Sequence, residues 1–288
     1  KEQQKQQNTT DTLQSKGKLI GAIPMYVKTN SQGEFVFDHA WAEAAYYQLG
    51  IEYYPKLVAA IPFTPATGKR ILTHPDAERA PLIRTAASVL KEIAVANNFS
   101  SVHILFCTDD EADLIEDTGY VRRLSVQNHF SNRNPNTGTP FDSFQDYTMT
   151  LKPNRRKALR RERKKIYEHE GIEVEVYQGE EVTDQVINSA YDLYSSTADK
   201  FYFQPQYLNK DFFLRLQNGP FQKYLAIVLA KRNKSTIAGT FNVQKGDTIY
   251  GRYWGCFEEV PYLHFEACYY RLIQHVIENQ MARMEAGA

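Results

Sequence analysis

No stretch of this sequence approaches the roughly 18–20 consecutive apolar residues that cross a bilayer. Residues Lys1 to Lys16 hold a single Leu, without the apolar centre of a secretory leader. No membrane span is expected, and residues 1–17 read as a polar, mobile surface segment. An excess of one charge is missing too: Lys+Arg and Asp+Glu are equal at 34 each. No global field therefore draws the chain to nucleic acid or membrane, and a charged partner must be met by a local patch. Cysteine is scarce. Cys107, Cys256 and Cys268 are odd in number and lie in apolar or aromatic surroundings, which suits free thiols in a reducing, cytoplasmic setting. Since position 1 is Lys and not Met, an upstream targeting segment, and with it an organelle, stays open.

What is present suffices for one large or two modest domains: 288 residues, 42% hydrophobic and 13% aromatic. Leu19 to Val27 reads as a buried strand, Trp41 to Leu49 as a helix ending at Gly50, Tyr54 to Thr64 as a strand, and Pro81 to Asn97 as a helix. Val102 to Phe106 and Tyr120 to Phe130 read as strands around a short acidic helix, Asp109 to Asp117. The segment Ser131 to Pro140 is rich in Asn, Pro, Gly and Thr, the composition of a boundary. Beyond it come a helix from about Phe141 to Glu170, the strand Ile172 to Tyr177, and helices Val182 to Ala198 and Asn209 to Leu216. Strands Tyr224 to Ala230, Thr236 to Gln244 and Thr248 to Cys256, the helix Leu263 to Gln280 and a last strand from Met281 follow. This order predicts α/β architecture in two units, 18–135 and 171–288, joined by a basic helix over 136–170. A weak repeat, Leu19-Ile20-Gly21-Ala22 against Thr236-Ile237-Ala238-Gly239, supports the division.

Three segments carry candidate chemistry. The run Lys152 to Lys165, opened by Pro153, is a basic helix with Leu159, Glu162 and Ile166 on one face. Arg155, Arg156, Arg160 and Arg161 make it either a solvated face or a surface for an anionic ligand. The strand Tyr250-Gly251-Arg252-Tyr253-Trp254-Gly255-Cys256 holds two glycines, which mark either a ligand against its backbone or relief of aromatic crowding. Strand alternation puts Tyr250, Arg252 and Trp254 on one face and Tyr253 on the other. His264 and Glu266 follow in the first turn of a helix, an anion-favouring end beside that strand. His264 and Cys268 are spaced i,i+4, yet no third ligand appears at recognisable spacing, so no metal is expected. In the first half, Lys69 and Arg70 sit in a Pro/Gly-bracketed loop that serves as a rigid turn or as a hold on an anionic group.

Several segments in order, Phe37-Asp38-His39-Ala40-Trp41-Ala42, Tyr53-Tyr54-Pro55-Lys56-Leu57, Ile61-Pro62-Phe63-Thr64-Pro65, the Arg155 to Arg163 run, Tyr250 to Gly255, Leu263-His264-Phe265-Glu266 and Glu285-Ala286-Gly287-Ala288, resemble the FemAB-like family of N-acyltransferases. The resemblance implies two acyl-CoA N-acyltransferase-like (GNAT-like) domains in tandem, with mixed, largely antiparallel sheets flanked by helices. It also implies a kinship with enzymes that add amino acids to peptidoglycan precursors from aminoacyl-tRNA. The family pattern carries a further strand–helix unit before Lys18 and continues past Ala288. The Gln/Arg-x-x-Gly-x-Gly/Ala loop that grips acyl-CoA is absent between Cys256 and His264, which favours another activated donor.

The expectation is transfer of an acyl or aminoacyl group to an amine. No cofactor is expected to be tightly bound, and the donor is aminoacyl-tRNA or acyl-CoA. By position Glu266 is the expected base, Tyr253 the acid or proton relay and Arg252 the clamp. Arg155, Arg156, Arg160, Arg161, Tyr250, Trp254, His264, Lys69 and Arg70 are the expected substrate contacts. The alternative is a non-catalytic module that recognises RNA or a cell-wall precursor through the basic helix.

Overall fold

The computed structural model describes residues 13–15, 17–200 and 206–287. The leading polar segment lies almost wholly outside them. The chain divides into two compact units at Val126/Gln127.

The first unit holds two three-stranded sheets. One joins β1 (Leu13–Ser15), β2 (Lys18–Ala22) and β5 (Leu72–Thr73), all antiparallel. The other joins β3 (Met25–Lys28) antiparallel to β4 (Lys56–Ala59), with β6 (Val102–Ile104) parallel on the far side of β4. The stretch read as one strand from Leu19 to Val27 is thus two strands in different sheets, β2 and β3, separated by Ile23 and Pro24. Pro24 has no N–H to give a ladder, so the strand breaks there. Helix α1 (His39–Leu49) buries none of its residues, whereas α2 (Arg79–Ala96) buries Ile83, Ala86, Ala87, Leu90 and Ala94. Its partners are Ile71, Leu57, Ala59 and Ile115, the last from α3 (Asp109–Glu116). The expected strand Tyr120 to Phe130 is reduced to β7 (His129–Ser131). Val121, Leu124 and Val126 are 87–89% exposed; an apolar alternation without a ladder partner does not make a strand.

The second unit is one sheet in the order β7-β12-β11-β10-β9-β8. Its members are β8 (Ile172–Gln178), β9 (Leu225–Arg232), β10 (Ser235–Lys245), β11 (Thr248–Cys256) and β12 (Arg283–Glu285), together with β7. Only the β11–β12 pair is parallel. Since β7 pairs with β12 and Asn132 bonds the Met281 carbonyl, residues 131–140 lie inside this unit and are not its border. Along β9, Leu225, Ile227 and Leu229 join one core with α6 (Asp184–Lys200) and α7 (Lys210–Gln217). Ala226, Val228 and Ala230 join the opposite core. A strand buried on both faces reads as a continuous apolar run.

The helix expected from Phe141 to Glu170 is two. Helix α4 (Phe144–Thr150) is capped by the Ser143 hydroxyl, which accepts from the Asp146 amide at 3.1 Å. Helix α5 (Pro153–Lys164) starts anew, because Pro153 removes a donor and drives Lys152 into extended backbone. A π-helical turn, Lys165–His169, continues α5. The helical run 263–278 likewise has a π turn, Glu266–Tyr270, between α8 (Leu263–Phe265) and α9 (Arg271–Glu278).

The fold is thus mixed α/β, with largely antiparallel sheets flanked by helices. Gly255 marks its closest packing, since a Cβ there would lie 2.0 Å from the Leu193 carbonyl oxygen of α6. Gly255→Ala must push α6 off the sheet and is expected to cost about 3 kcal/mol or more. Urea denaturation of the variant measures this, with an unchanged midpoint counting against the packing described.

Candidate functional site

The polar groups of the second unit concentrate where α5 and its π turn meet the 263–278 helix. Glu266 is 0% exposed. Its Oε1 accepts from Arg163 Nη2 at 2.9 Å and from the Tyr167 hydroxyl at 2.7 Å, while Oε2 is buried with no partner among the described residues. Arg163 Nη2 also reaches Gln274 Oε1 at 2.9 Å. The guanidinium lies 4.8 Å from the Phe144 ring centre and 5.5 Å from that of Tyr167. Burial opposes the charge on Arg163, yet the Glu266 carboxylate and the bond with Tyr167 outweigh it and raise its pKa. Burial first, and then the Glu266 charge, push the Tyr167 hydroxyl up to about 12.

A second brace lies one helical turn away. Buried Glu162 accepts from the Tyr270 hydroxyl at 2.7 Å and from Arg155 at 3.3 Å, and Arg155 also bonds that hydroxyl. Each carboxylate thus meets a tyrosine from the other helix. Both π turns contribute, Tyr167 from one and Glu266 and Tyr270 from the other. Such turns shift side chains off the regular helical wheel and are frequent at functional positions.

Beside the first brace is an open cleft of about 350 Å³, lined by Phe144, Gln145 and Thr148 of α4 and by Arg160, Arg163, Lys164 and Tyr167 among others. Of the four arginines expected to face an anion, two are engaged internally, Arg155 as above and Arg156 with the Met149 carbonyl at 3.2 Å. Arg160 and Arg161 are exposed, and neither side chain makes an ion pair or hydrogen bond among the described residues. Arg163, which sequence reasoning passed over, is the arginine at the centre.

The strand–helix junction is arranged differently from the sequence reading. Phe241 pairs with Tyr253 and Asn242 with Gly251, so Arg252 is the extra residue of a β-bulge. The bulge resets the alternation: Ile249, Trp254 and Cys256 pack with one core and Tyr253 with the other, which turns Tyr250 away from Trp254's face. Tyr253 packs against Tyr194 at 4.8 Å, on the α6 side of the sheet. Glu266 lies between Leu263 and Ala267 of the opposite core. The expected acid and base are therefore on different faces and share no reacting centre. Gly251 accommodates the chain itself, since a Cβ there would meet the Ala286 carbonyl oxygen at 2.7 Å. Trp254 and His264 do meet, ring centres 5.1 Å apart. Burial lowers the His264 and Arg252 pKa values and raises that of Tyr253.

In the first unit Lys69 is exposed, but Arg70 is buried and donates to the carbonyls of Leu105, Gly68 and Ala66. Arg70 is a structural tie; carbonyls and not a ligand occupy its donors. A cluster that sequence reasoning did not assign lies elsewhere in this unit. Lys56 is 0% exposed and donates to Ser31 Oγ, Glu34 Oε2 and Asp38 Oδ2 at 2.8, 2.9 and 2.8 Å. Tyr53 donates to Asp38 at 2.8 Å. Burial disfavours the Asp38 charge, but the bonds from Lys56, Ser31 and Tyr53 prevail and hold its pKa at about 2. For Glu34 burial prevails over Lys56, and its pKa rises. His103, in contact with the Tyr53 ring at 5.9 Å, is lowered to about 4 by burial and then by the Lys56 charge. The clue in the sequence was that Asp38 and Lys56 both stand in the segments that carry the family resemblance.

Among the described residues no group of three or more His, Cys, Asp and Glu is placed to hold a metal, and no helix is long and apolar enough to cross a membrane. The architecture is a mixed α/β fold with largely antiparallel sheets flanked by helices. It resembles L-PGS from Bacillus licheniformis with a TM-score of 0.50 at 13% identity, over 82% of this chain and 62% of that one. It resembles the C-terminal domain of a protein described as a lysylphosphatidylglycerol synthetase from Agrobacterium fabrum with a TM-score of 0.54 at 8% identity, over 97% of this chain and 70% of that one. The chain thus spans less than two thirds of the L-PGS chain, and at these identities the likeness is one of fold. A comparison with the curated proteins finds no match. The sequence model of the FemAB-like family, described as peptidoglycan biosynthesis/recognition, matches residues 6–288. The chain belongs to the FemAB-like family.

His103 gives the first unit a pH dependence with a definite sign. Its folded pKa lies below the unfolded value of 6.5, so the unfolded chain binds its proton first and stability falls as pH drops from 6.5 towards 4. Asp38, also depressed, extends the loss below 3.8, while Glu34, raised, acts in the opposite sense. Comparing wild type with His103→Gln isolates the histidine. Denaturation midpoints should show wild type losing about 1–3 kcal/mol relative to the variant between pH 6.5 and 4. A pH-independent difference would show that His103 is freely protonated in the folded state.

Proposed function

We propose that this protein is an acyl- or aminoacyl-transferring enzyme that binds an anionic donor or precursor along α5 and delivers the acyl group to an amine. The observation that carries the reading is the exposed, unpaired Arg160 and Arg161 on a helix whose neighbouring residues line a cleft, in a chain of the FemAB-like family. Aminolysis of an activated ester passes through a tetrahedral oxyanion, and fixed cationic donors stabilise that charge. Membership of a family described as peptidoglycan biosynthesis/recognition fits a precursor-like acceptor. A tRNA-like donor fits a face of arginines, which meet phosphates readily. The setting of such a reaction inside the cell is the cytoplasm, where three free cysteines are at home.

A second reading, recognition without turnover, draws on one observation: Glu266, the carboxylate expected to act as base, is sealed in an ion pair. The two readings part on a transfer assay. Radiolabelled aminoacyl-tRNA and acyl-CoA are offered with peptide and amino-sugar amines, and label moved to the amine is counted. The transferase reading expects turnover that falls at least about tenfold in Arg160→Gln/Arg161→Gln, with the fold intact and a shallower salt dependence. Salt-sensitive binding of donor or precursor with no transfer to any amine would replace it by the recognition reading.

A further inference from the structure

The cleft beside α5 holds more donor capacity than internal bonding uses. Arg163 spends Nη2 on Glu266 and Gln274 and also bonds Tyr167, which leaves part of its five-donor fork uncommitted. Arg160, on the same wall, is exposed with no ion pair among the described residues. Among the described residues Lys164 pairs only with Glu168, which also lines the cleft, at 3.5 Å between side chains 61% and 63% exposed, a contact that water and salt readily screen. Arg163 differs from the other two in being fixed, by a fully buried carboxylate, an amide oxygen and the rings of Phe144 and Tyr167. A donor already immobilised loses little entropy when a ligand arrives, and its fork is aimed before binding. One fixed guanidinium with two mobile cations around a cleft of about 350 Å³ suits a group with several oxygens spread in space, as in a phosphate. A carboxylate has only two oxygens to offer.

We propose that this cleft is a phosphate-binding site in which Arg163 is the fixed donor, Arg160 and Lys164 are mobile cations, and Glu266 is a positioning residue that aims Arg163. The site's place in a transfer reaction rests on the function proposed above; the binding itself does not. A nucleotide, a glycerophosphate headgroup and free phosphate share this chemistry.

Isothermal titration calorimetry on the full chain at low salt tests it, with inorganic pyrophosphate, inorganic phosphate, AMP, glycerol 3-phosphate and acetate as probes. Pyrophosphate is expected to bind at least about tenfold more tightly than acetate. Arg163→Lys keeps the charge but loses the fork, and should weaken pyrophosphate about tenfold or more, with Arg160→Gln weaker by a smaller factor. Glu266→Gln should also weaken binding although Glu266 does not touch the ligand. Since that variant can fail to fold, Gln274→Ala, which frees the same guanidinium without burying an unpaired charge, supplies the same reading with circular dichroism as the check on folding. AMP tighter than glycerol 3-phosphate identifies a nucleotide source, and the reverse a headgroup. The proposal is overturned if Arg163→Lys binds pyrophosphate as wild type does, or if acetate binds as tightly as pyrophosphate. Pyrophosphate binding by a wild-type protein that transfers no acyl group would count against the transferase reading alone.

Discussion

The pair between half-buried Arg163 and fully buried Glu266 is the constraint on which the second unit's functional face depends. Two helices far apart in the chain, α5 and the 263–278 run, meet through polar side chains, because α5 carries too few apolar residues to be held by packing alone: it buries only Leu159 and Glu162. A carboxylate without water must be paired and hydrogen-bonded, and Glu266 achieves this only when α5 lies where it does. The same requirement fixes Arg163 at the cleft. Position of the helix, aim of the guanidinium and shape of the cleft therefore follow from one ion pair and its tyrosine.

The first unit uses the same device for another purpose. Helix α1 buries no residue, and its N-cap residue Asp38 makes no side-chain cap; the carboxylate turns inward to Lys56 instead. Lys56 has its three donors taken by Ser31, Glu34 and Asp38, which satisfies the ammonium. One oxygen each of Glu34 and Asp38 remains buried without a hydrogen-bond partner among the described residues. Such a cluster stabilises little against an apolar alternative, but removing one member leaves the others stranded. It sets where the 31–38 loop enters α1, which apolar packing does not determine.

Local pattern made much of the architecture legible. The strand Thr248 to Cys256 and the helices α2, α3, α6 and α7 were readable from periodicity and end signals, because each buries a face at its own period. The family was readable from segments in order. What escaped was set by partners distant in sequence. Lys56 follows Pro55 and looks like a surface lysine until Glu34 and Asp38, 22 and 18 residues earlier, enclose it. Glu266 looked like a free base in a first helical turn, yet its partner Arg163 lies 103 residues earlier. The bulge at Arg252 defeated the alternation rule, because its cause is the register of the neighbouring strand. The two glycines of β11 read as marks of a ligand or of relief from aromatic crowding, whereas what approaches them is the protein's own backbone at Leu193 and Ala286.

The central claim is that Arg163 and Glu266 act as one unit, and a double-mutant cycle of Arg163→Met and Glu266→Leu, followed by urea denaturation, tests it most directly. If the pair organises this face, Arg163→Met loses about 3–5 kcal/mol by stranding the fully buried Glu266 carboxylate, and Glu266→Leu, which leaves the half-buried Arg163 open to the cleft, loses less. The double variant then recovers enough to give a coupling of at least about 2 kcal/mol. Single losses that are small and add to the double within about 0.5 kcal/mol would contradict the account, showing that the two helices meet without the ion pair.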